Sequence, residues 1–420
     1  MITLSTPSTT LPRHTPGTAV WRAIATAIVT VLCIFPLAVD ADAAPVGSSA
    51  ARTPAVRGTL VALPFVAQPG SAPAAPANAT TLVATFDPAA PGQSVTFERR
   101  TRRGWRVVAR EVQDTWGSAT TSVRNGSYRA ITTRAGRTWV TGQIGARAWR
   151  TQFEDTFSGA ALDATVWNSQ RREHETEYAP RSCARTDAAA SRVEAGVLHL
   201  GVQLDPERVG QACPYTWNAA SGSSPYYLNS QVATEFTRFT RHGIIAARMK
   251  VQRADGMHTG FWMLPQGTQF VDGDPSRGTE IDVMEFWGAN GSGRETVGSH
   301  VGYYEPGWTA VRYGGKFTDA RKALQPGHSW WDSFHVFSVE WTPREYVFRV
   351  DGREYYRETR AVSQAQQYLV LSMLTSDYEL ANLDQSDLAD TSQVDWVRVY
   401  DATSNASARI SRGRPSSTVG

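Results

Sequence analysis

The sequence of 420 residues predicts an all-β protein in which a small antiparallel β-sandwich precedes a larger β-sandwich domain. Short runs of alternating apolar and polar residues, rich in β-branched and aromatic side chains, recur between turns that contain Gly or Pro. Apolar repeats with a helical period are few. The larger domain would span about 250 residues, which is enough for a single enclosed core.

Residues 1–43 are predicted to be a signal peptide. Arg13 and Arg22 precede an apolar run over residues 23–39, and Ala41-Asp42-Ala43 has the pattern of a cleavage site. The protein is therefore expected to be secreted and extracellular. An uncleaved membrane anchor is the alternative, because an apolar run of about 17 residues is marginal for a spanning helix. Residues 44–78 are rich in Ala, Pro, Ser and Gly, which predicts a disordered linker.

Residues 79–148 predict the small β-sandwich, an accessory module. Alternating runs at 94–97, 105–109 and 127–131 are separated by turn signals such as Pro91-Gly92 and Asn125-Gly126. This pattern resembles the immunoglobulin-like accessory modules of secreted bacterial proteins. At the other end of the chain, the Ser- and Arg-rich tail at 403–420 is expected to be disordered.

Charge is divided between the two parts of the chain. Residues 79–150 contain 12 arginines and four acidic residues, a net charge of +8, whereas residues 151–402 contain 23 basic and 33 acidic residues, a net charge of −10. One interpretation is that the module contacts an anionic cell wall, membrane surface or acidic polysaccharide. The other interpretation is that the arginines form a solvated surface of the module. Nucleic acid is not an expected partner, because no reader motif is present. The arginine cluster consists of Arg99, Arg100, Arg102, Arg103 and Arg106.

Three carboxylates lie in one segment that predicts a β-strand, Glu280-Ile281-Asp282-Val283-Met284-Glu285-Phe286-Trp287. In a regular strand Glu280 and Asp282 share a face and Glu285 points to the other. A β-bulge at Val283-Met284 would return Glu285 to the face of Glu280. The two carboxyl groups would then lie about 5–6 Å apart, close to the spacing that a retaining glycosidase needs. Solvated acids on an edge strand are the alternative on these residues alone.

Further motifs accompany the acidic strand in a fixed order. They are Phe157-Ser158-Gly159 with Leu162-Asp163 and Trp167, Ala247-Arg248-Met249-Lys250, Gly260-Phe261-Trp262-Met263-Leu264-Pro265, Phe334-His335 with Glu340-Trp341-Thr342-Pro343, Val350-Asp351-Gly352, and Val394-Asp395-Trp396-Val397-Arg398-Val399-Tyr400. With the Glu-x-Asp-x-x-Glu strand, they resemble glycoside hydrolase family 16 in its bulged, laminarinase-like form. The resemblance implies a catalytic domain at residues 150–402, folded as a concanavalin-like β-jelly-roll sandwich with the acidic strand at the centre of a concave sheet.

The resemblance also implies catalytic roles for the three acids. Glu280 would be the nucleophile, and Glu285 would be the acid that protonates the leaving oxygen and then activates water as a base. Asp282 would hydrogen-bond the nucleophile. Because like charges in a partly dry cleft raise one carboxyl pKa, Glu285 is expected to stay protonated near neutral pH while Glu280 stays ionised.

Aromatic residues are the expected substrate-binding groups, because the apolar faces of sugar rings pack on aromatic planes. Trp262 and Trp287 flank the acids and are the candidates for this role. His300 matches a histidine often found beside the acid of this family. Trp341 and Trp396 are expected to pack in the core instead. The segment Gly256-Met257-His258-Thr259-Gly260-Phe261-Trp262-Met263 lacks the first tryptophan and the proline of many laminarinase-like sequences.

The implied chemistry requires no cofactor. Calcium is sometimes bound on the convex side of this family's sandwich, and Asp155 and Asp395 match positions near that site. Once Cys33 is removed with the leader, Cys183 and Cys213 remain as an even pair in an oxidising compartment. They are predicted to form a disulfide. The protein is expected to be a monomer.

The predicted function is that of a secreted, retaining, endo-acting glycoside hydrolase that cleaves a β-linked polysaccharide by double displacement. A β-1,3-glucan is the favoured substrate. Agarase-like, carrageenase-like or mixed-linkage glucanase specificity, transglycosylation, and a glycan-binding protein without catalysis are the alternatives.

Overall fold

The computed structural model describes residues 56–76, 80–169, 181–217, 220–266, 272–290, 295–307, 309–401 and 411–412. The predicted signal peptide at 1–43 lies outside the described residues. Within the described residues, no helix has both the length and the apolar character needed to cross a bilayer.

Strands make up nearly all of the regular structure, joined by short 3-10 turns. In chain order the strands are β1 (Arg57–Pro64), β2 (Thr80–Asp87), β3 (Ser94–Thr101), β4 (Gly104–Val112), β5 (Ser118–Val123), β6 (Gly126–Arg134), β7 (Arg137–Val140), β8 (Ile144–Ala146), β9 (Thr151–Asp155), β10 (Asn168–Ser169), β11 (Ala184–Thr186), β12 (Ser191–Glu194), β13 (Val197–Leu200), β14 (Val202–Leu204), β15 (Cys213–Trp217), β16 (Ala220–Ser224), β17 (Tyr227–Ala233), β18 (Gly243–Lys250), β19 (His258–Pro265), β20 (Glu280–Phe286), β21 (Val297–Glu305), β22 (Thr309–Phe317), β23 (His335–Trp341), β24 (Tyr346–Val350), β25 (Arg353–Glu358), β26 (Gln367–Leu374), β27 (Ser392–Tyr400) and β28 (Ser411–Arg412). The described 3-10 turns are Ala188–Ala190, Pro206–Arg208, Pro275–Arg277, Thr318–Ala323, Leu380–Asn382 and Gln385–Ala389.

The N-terminal module is a β-sandwich of two sheets. One sheet has the strand order β28-β1-β2-β5, and the other has the order β4-β3-β6-β7, with β8 paired to β6. Alternate residues of both sheets, such as Leu60, Phe86, Phe97 and Tyr128, are buried between them. The strands predicted from the sequence therefore form a sandwich. The resemblance of this sandwich to immunoglobulin-like modules stays a prediction.

The predicted linker at 44–78 differs from the structure over its described residues. Residues 57–64 form β1, which pairs along its whole length with β2. This strand contains the apolar-rich run Thr59-Leu60-Val61-Ala62-Leu63. The average composition of residues 44–78 did not indicate a strand, because the surrounding residues are rich in Ala, Pro and Gly. In the predicted disordered tail, 411–412 form β28, which pairs with β1. Both predictions of disorder are wrong at these residues, because β1 provides a pairing edge that composition does not reveal.

The chain after β1 crosses the large domain as a segment that we call the strap, residues 65–76. Arg248, whose side chain is 1% exposed, donates through Nε to the Gln68 carbonyl at 2.8 Å. Arg398 donates to the Ala75 carbonyl. Trp396 Nε1 donates to the Gln68 side-chain oxygen at 3.2 Å. Buried guanidinium groups must have their N–H donors satisfied, so the strap supplies acceptors that the sheet beneath it needs.

The large domain is a jelly-roll-like sandwich of two antiparallel sheets. A nine-stranded sheet has the order β10-β17-β26-β19-β20-β21-β22, with β11 and β14 also paired to β17. An eight-stranded sheet has the order β12-β13-β27-β18-β23-β24-β25, with β9 paired to β27. The two sheets enclose one core, to which Phe261, Ile281, Phe337 and Trp341 contribute.

The module covers the outer face of the eight-stranded sheet. Leu63 and Val83 of the module pack against Ile244, Trp396 and Tyr400 of that sheet. Trp341 and Trp396 are buried, as expected from the sequence. The outer face of the nine-stranded sheet is the one that carries the three acids.

Cys183 and Cys213 form the predicted disulfide, with their Cα atoms 5.6 Å apart. The bond ties the first residue of β15 to the segment that leads into β11. Strands β15 and β16 pair only with each other among the described strands. Because a two-stranded hairpin is marginally stable alone, the disulfide fixes its base to the sandwich.

Candidate active site

The bulge predicted at Val283-Met284 is present. Against β19, Asp282 pairs with Trp262 and Met284 pairs with Phe261, which leaves Val283 as an extra residue. Against β21, the register shifts between Asp282 and Glu285 in the same way. Val283 and Met284 are both buried in the core, so the alternation of the strand is reset. Glu280, Asp282 and Glu285 therefore share the outer face of the nine-stranded sheet.

The strands beside β20 leave space around the two glutamates. Glu280 pairs with Gly302 of β21, and Glu285 pairs with Gly298 of β21 and Gly260 of β19. A Cβ atom at Gly298 would lie 2.6 Å from the Trp287 ring and 3.3 Å from the Glu285 Cβ. The absence of a side chain at Gly298 therefore leaves room for the Trp287 ring beside Glu285.

On the edge strand β22, two cationic side chains lie opposite these glycines of β21. Arg312 pairs with Gly302, and Lys316 pairs with Gly298. Burial lowers the pKa of Arg312, but the negative charges of Glu280 and Asp282 raise it by more. The Lys316 Nζ atom lies 4.3 Å from the centre of the Trp287 ring. Positive charge therefore partly balances the carboxylates from one side.

His300 lies directly against Glu285. Its Nδ1 atom is 2.9 Å from Glu285 Oε2, a hydrogen-bonding distance. Burial raises the pKa of the Glu285 carboxyl, but the hydrogen bond and charge of His300 lower it by more. His258 and Arg312 lower it further through their charges. The pKa of Glu285 is therefore below its usual value.

Asp282 is the carboxyl group that favours its protonated form. It is 8% exposed, and burial together with the charges of Glu280 and Glu285 raises its pKa well above the usual value, an effect that Arg312 only partly opposes. The expectation that Glu285 holds the proton is therefore wrong for this unliganded arrangement. The reason is that His300 stabilises the charge of Glu285, whereas Asp282 is enclosed between two carboxylates.

The remaining predicted substrate residues lie beside the acids. Trp262 is half-buried opposite Asp282, and its Nε1 atom donates to Ser372 Oγ of β26 at 3.0 Å. Trp287 is half-buried next to Glu285 over Gly298. Trp262, Trp287 and His300 are thus brought together with the three acids on one face, and we call the surface formed by these six residues the groove.

His258 and Glu379 belong to this site and were not predicted. His258 Nδ1 lies 2.7 Å from Glu379 Oε2, and both side chains are buried. Tyr378 stacks on the His258 ring, with centroids 6.1 Å apart. His258 occupies the position at which the sequence lacks the expected tryptophan, and that departure was the available signal. Glu379 lies 121 residues beyond His258 in the chain, and no local pattern in the sequence indicated it.

Two sets of residues contain candidate metal ligands. Asp155 accepts hydrogen bonds from Phe157 N at 2.8 Å and Trp167 Nε1 at 2.7 Å, while Asp395 pairs with Arg248. A calcium ion at these residues would share the carboxylates with these donors, and the calcium site stays a prediction. Among the described residues, the one set of three ligand atoms within 4.8 Å of one another belongs to Asp282, Glu285 and His300. Their hydrogen bonding fits proton exchange better than metal ligation.

Asp282→Asn should stabilise the protein at neutral pH. A carboxyl whose pKa is raised in the folded state contributes stability below its unfolded pKa of about 3.9, and this contribution is lost as pH rises through the folded pKa. An amide stays neutral, so the free energy of unfolding of the variant should increasingly exceed that of the wild type from pH 4 to pH 7. Urea unfolding at several pH values measures this difference. Asp87→Asn, an exposed aspartate at the end of β2, is the control. An equal difference at pH 4 and pH 7 would contradict the assignment of the proton to Asp282.

Comparison with known proteins places this geometry in a family. The family described as "Glycosyl hydrolases family 16" matches residues 201–398. The chain is 26% identical over 278 residues to "Glucan endo-1,3-beta-glucosidase A1" of Niallia circulans, covering 59% of this chain and 37% of that protein. It is 23% identical over 228 residues to "Gram-negative bacteria-binding protein 3" of Drosophila melanogaster, covering 48% of this chain and 44% of that protein. The chain thus spans less than half the length of these relatives.

A similar solved structure is that of the endo-beta-1,3-glucanase from Pyrococcus furiosus. The two chains are 21% identical, the TM-score is 0.46, and the alignment covers 64% of this chain and 97% of that one. Residues 201–398, which include β20 and its three acids, thus form a domain of glycosyl hydrolases family 16.

Proposed function

We propose that the chain is a secreted, retaining, endo-acting glycoside hydrolase that cleaves a β-linked glucan by double displacement. The observation that supports this most is the bulge at Val283-Met284, which places Glu280 and Glu285 on one face of the sheet. A pure binding site gains nothing from crowding these carboxylates, whereas bond cleavage needs two of them. The disulfide fits an oxidising, extracellular compartment.

In the first step of the proposed reaction, Glu280 attacks the anomeric carbon of the bound sugar. The bond from that carbon to the glycosidic oxygen breaks, and the oxygen takes a proton from Glu285. A covalent glycosyl ester on Glu280 results. In the second step Glu285 removes a proton from water, which attacks the same carbon and releases Glu280. Two inversions at one carbon retain its configuration.

The proton for the first step is shared within the site. His300 Nδ1 is at hydrogen-bonding distance from Glu285, so a proton on the imidazole can pass to the carboxylate when substrate covers the groove. Removal of water disfavours the charged pair and moves the proton to Glu285. Protonated Asp282 can donate a hydrogen bond to Glu280 and hold it in place.

Amide substitutions of the two glutamates test the mechanism. Glu280→Gln should abolish hydrolysis, and Glu285→Gln should lower kcat by about 10²–10⁴-fold, because each removes one half of the acid and nucleophile pair. Glu194→Gln, an exposed glutamate on β12, is the matched control and should keep full activity. Hydrolysis is followed by release of reducing ends, and NMR of the first product should show the β-anomer. Turnover by Glu280→Gln at the wild-type rate, or an initial α-anomer, would rule out double displacement with Glu280 as the nucleophile.

We propose β-1,3-glucan as the substrate. The names of the relatives from Niallia circulans and Pyrococcus furiosus refer to β-1,3-glucan cleavage, and the half-buried Trp262 and Trp287 offer ring faces for a neutral sugar. Agarase-like, carrageenase-like and mixed-linkage specificity are the competing substrate classes. Transglycosylation passes through the same ester and differs only in the acceptor.

A substrate panel separates these possibilities. The wild-type protein should release reducing ends from laminarin faster than from lichenan, agarose or carrageenan. Endo cleavage should yield mixed oligosaccharides from the start, and transglycosylation should yield products longer than the starting oligosaccharide. Faster release from agarose or carrageenan than from laminarin would reject the proposed substrate.

A non-catalytic glycan-binding protein is the second candidate, since one relative is named a binding protein. Binding of laminarin by the wild type without release of reducing ends, under conditions that saturate the protein, would favour it. The three acids on one face support catalysis instead.

We further propose that the arginine cluster of the module contacts anionic cell-wall polymer. Its five arginines are all exposed, on or between the paired strands β3 and β4, and β4 is an edge strand. Trp105 lies between Arg100 and Arg129, with guanidinium carbons 5.4 and 4.3 Å from the centre of its ring. An exposed and strongly basic part of the module favours contact with a polyanion.

Cosedimentation of the full chain with anionic wall fragments tests this proposal. Replacing the cluster with serines should weaken binding at low salt and flatten its salt dependence, because fewer ion pairs form. Five exposed arginines of the large domain are the control set: Arg192, Arg238, Arg241, Arg253 and Arg344. No binding at low salt, or an equal loss in both variants, would remove the idea.

A further inference from the structure

A row of rings runs along the Glu285 side of the groove. Trp287 lies beside Glu285, and its ring centre is 6.5 Å from that of His258. His258 stacks on Tyr378 at 6.1 Å with an interplanar angle of 23°. Tyr378 in turn contacts Trp217 at 5.5 Å. Four rings thus connect the candidate acid to the hairpin formed by β15 and β16.

The strand pairing shows the direction of this row. His258 at the start of β19 pairs with Leu374 at the end of β26, and Thr259 pairs with Phe286 at the end of β20. Trp287 follows the end of β20, and Tyr378 follows the end of β26. The rings therefore form a row that crosses the ends of neighbouring strands. A polysaccharide that passes between Glu280 and Glu285 must also cross the strands, because both acids lie on one strand at different heights. The polymer and the row of rings therefore run side by side.

The outer end of the row is exposed. Trp217 is 37% exposed, an uncommon state for the largest apolar side chain. It is the last residue of β15, whose first residue is held by the disulfide. Within the described residues the hairpin pairs with no other strand, while Cys213 and Tyr215 pack against the core of the large domain. Trp217 thus lies at the end of a fixed hairpin, where its exposed ring can serve as a binding surface.

The occupant is identified by the chemistry of the row. Trp217 offers an exposed apolar ring face, and Tyr378, which packs between His258 and Trp217, supports that ring. An apolar ring face suits a neutral sugar ring with apolar C–H faces. The row begins at the acids that would cut such a ring from its neighbour. A sugar several units away on the same polymer is therefore the occupant that fits.

We propose that Trp217 and Tyr378 form a distal sugar-binding subsite for the polysaccharide that lies in the groove. This inference rests on the proposed function, which supplies the polymer. The subsite extends the bound length of the chain beyond the sugars next to the cleaved bond. It favours long polymers and internal cleavage, because only they fill the groove from Glu285 to the hairpin.

The affinity of laminari-oligosaccharides of increasing length tests the subsite. Isothermal titration calorimetry uses the full chain with Glu280→Gln, so that the ligand is not cleaved. Adding Trp217→Ala should weaken binding of the longest oligosaccharides by about tenfold, the usual size for a tryptophan anchor in an interface, and leave the shortest unchanged. Trp217→Phe should recover most of the loss. Val112→Ala, an exposed apolar residue of β4 outside the arginine cluster, is the control and should have no effect at any length.

The outcomes for the subsite and for the enzyme can be told apart. An equal loss at every length, or no loss at any length, overturns the distal subsite even when the wild type hydrolyses laminarin. A length-dependent loss in a protein that never releases reducing ends supports the subsite and overturns hydrolysis. If no oligosaccharide binds at any length, both proposals fail.

Discussion

The site depends on one extra residue in β20. Because successive side chains of a strand point to opposite faces, five residues of regular strand would place Glu285 in the core when Glu280 faces the groove. The bulge puts Val283 and Met284 consecutively into the core and returns Glu285 to the outer face. The apolar contacts of these two residues hold the bulge in place. Packing on one face of the sheet thus fixes the chemistry on the other.

Charge balance around the three acids follows from the same strand. Three crowded carboxylates cannot all be ionised without a cost in electrostatic free energy, and each of the three has different neighbours. His300 accompanies Glu285, and Arg312 lies in the row of Glu280. Asp282, between the two, favours a proton. The glycines Gly298 and Gly302 make this possible, because side chains at these positions would separate the acids from the cations of the edge strand.

The N-terminal module and the strap leave the groove open. They cover the outer face of the eight-stranded sheet, where Arg248 and Arg398 find their acceptors in strap carbonyls. Removing the strap would leave buried guanidinium groups without partners, which is costly. The module is therefore part of the folded unit with the large domain. The three acids lie on the outer face of the other, nine-stranded sheet, and the disulfide-bonded hairpin contacts Tyr378 beyond the end of β26.

The sequence by itself predicted most strands of both sandwiches, the acidic motif, its bulge and the pairing of the two cysteines, because all of these depend on short-range patterns. Strand alternation, turn residues and the spacing of Glu280, Asp282 and Glu285 are all short-range signals. The tertiary structure decided which carboxyl takes the proton, since that depends on His300 and Arg312, which β21 and β22 bring to the acids. It also decided that residues 57–64 are a strand, because β2 and the large domain supply partners that average composition cannot show. Long-range pairing of β26 with β19 likewise brings Glu379 and Tyr378 to His258, and the disulfide-bonded hairpin brings Trp217 to Tyr378. No local pattern in the chain encodes such contacts.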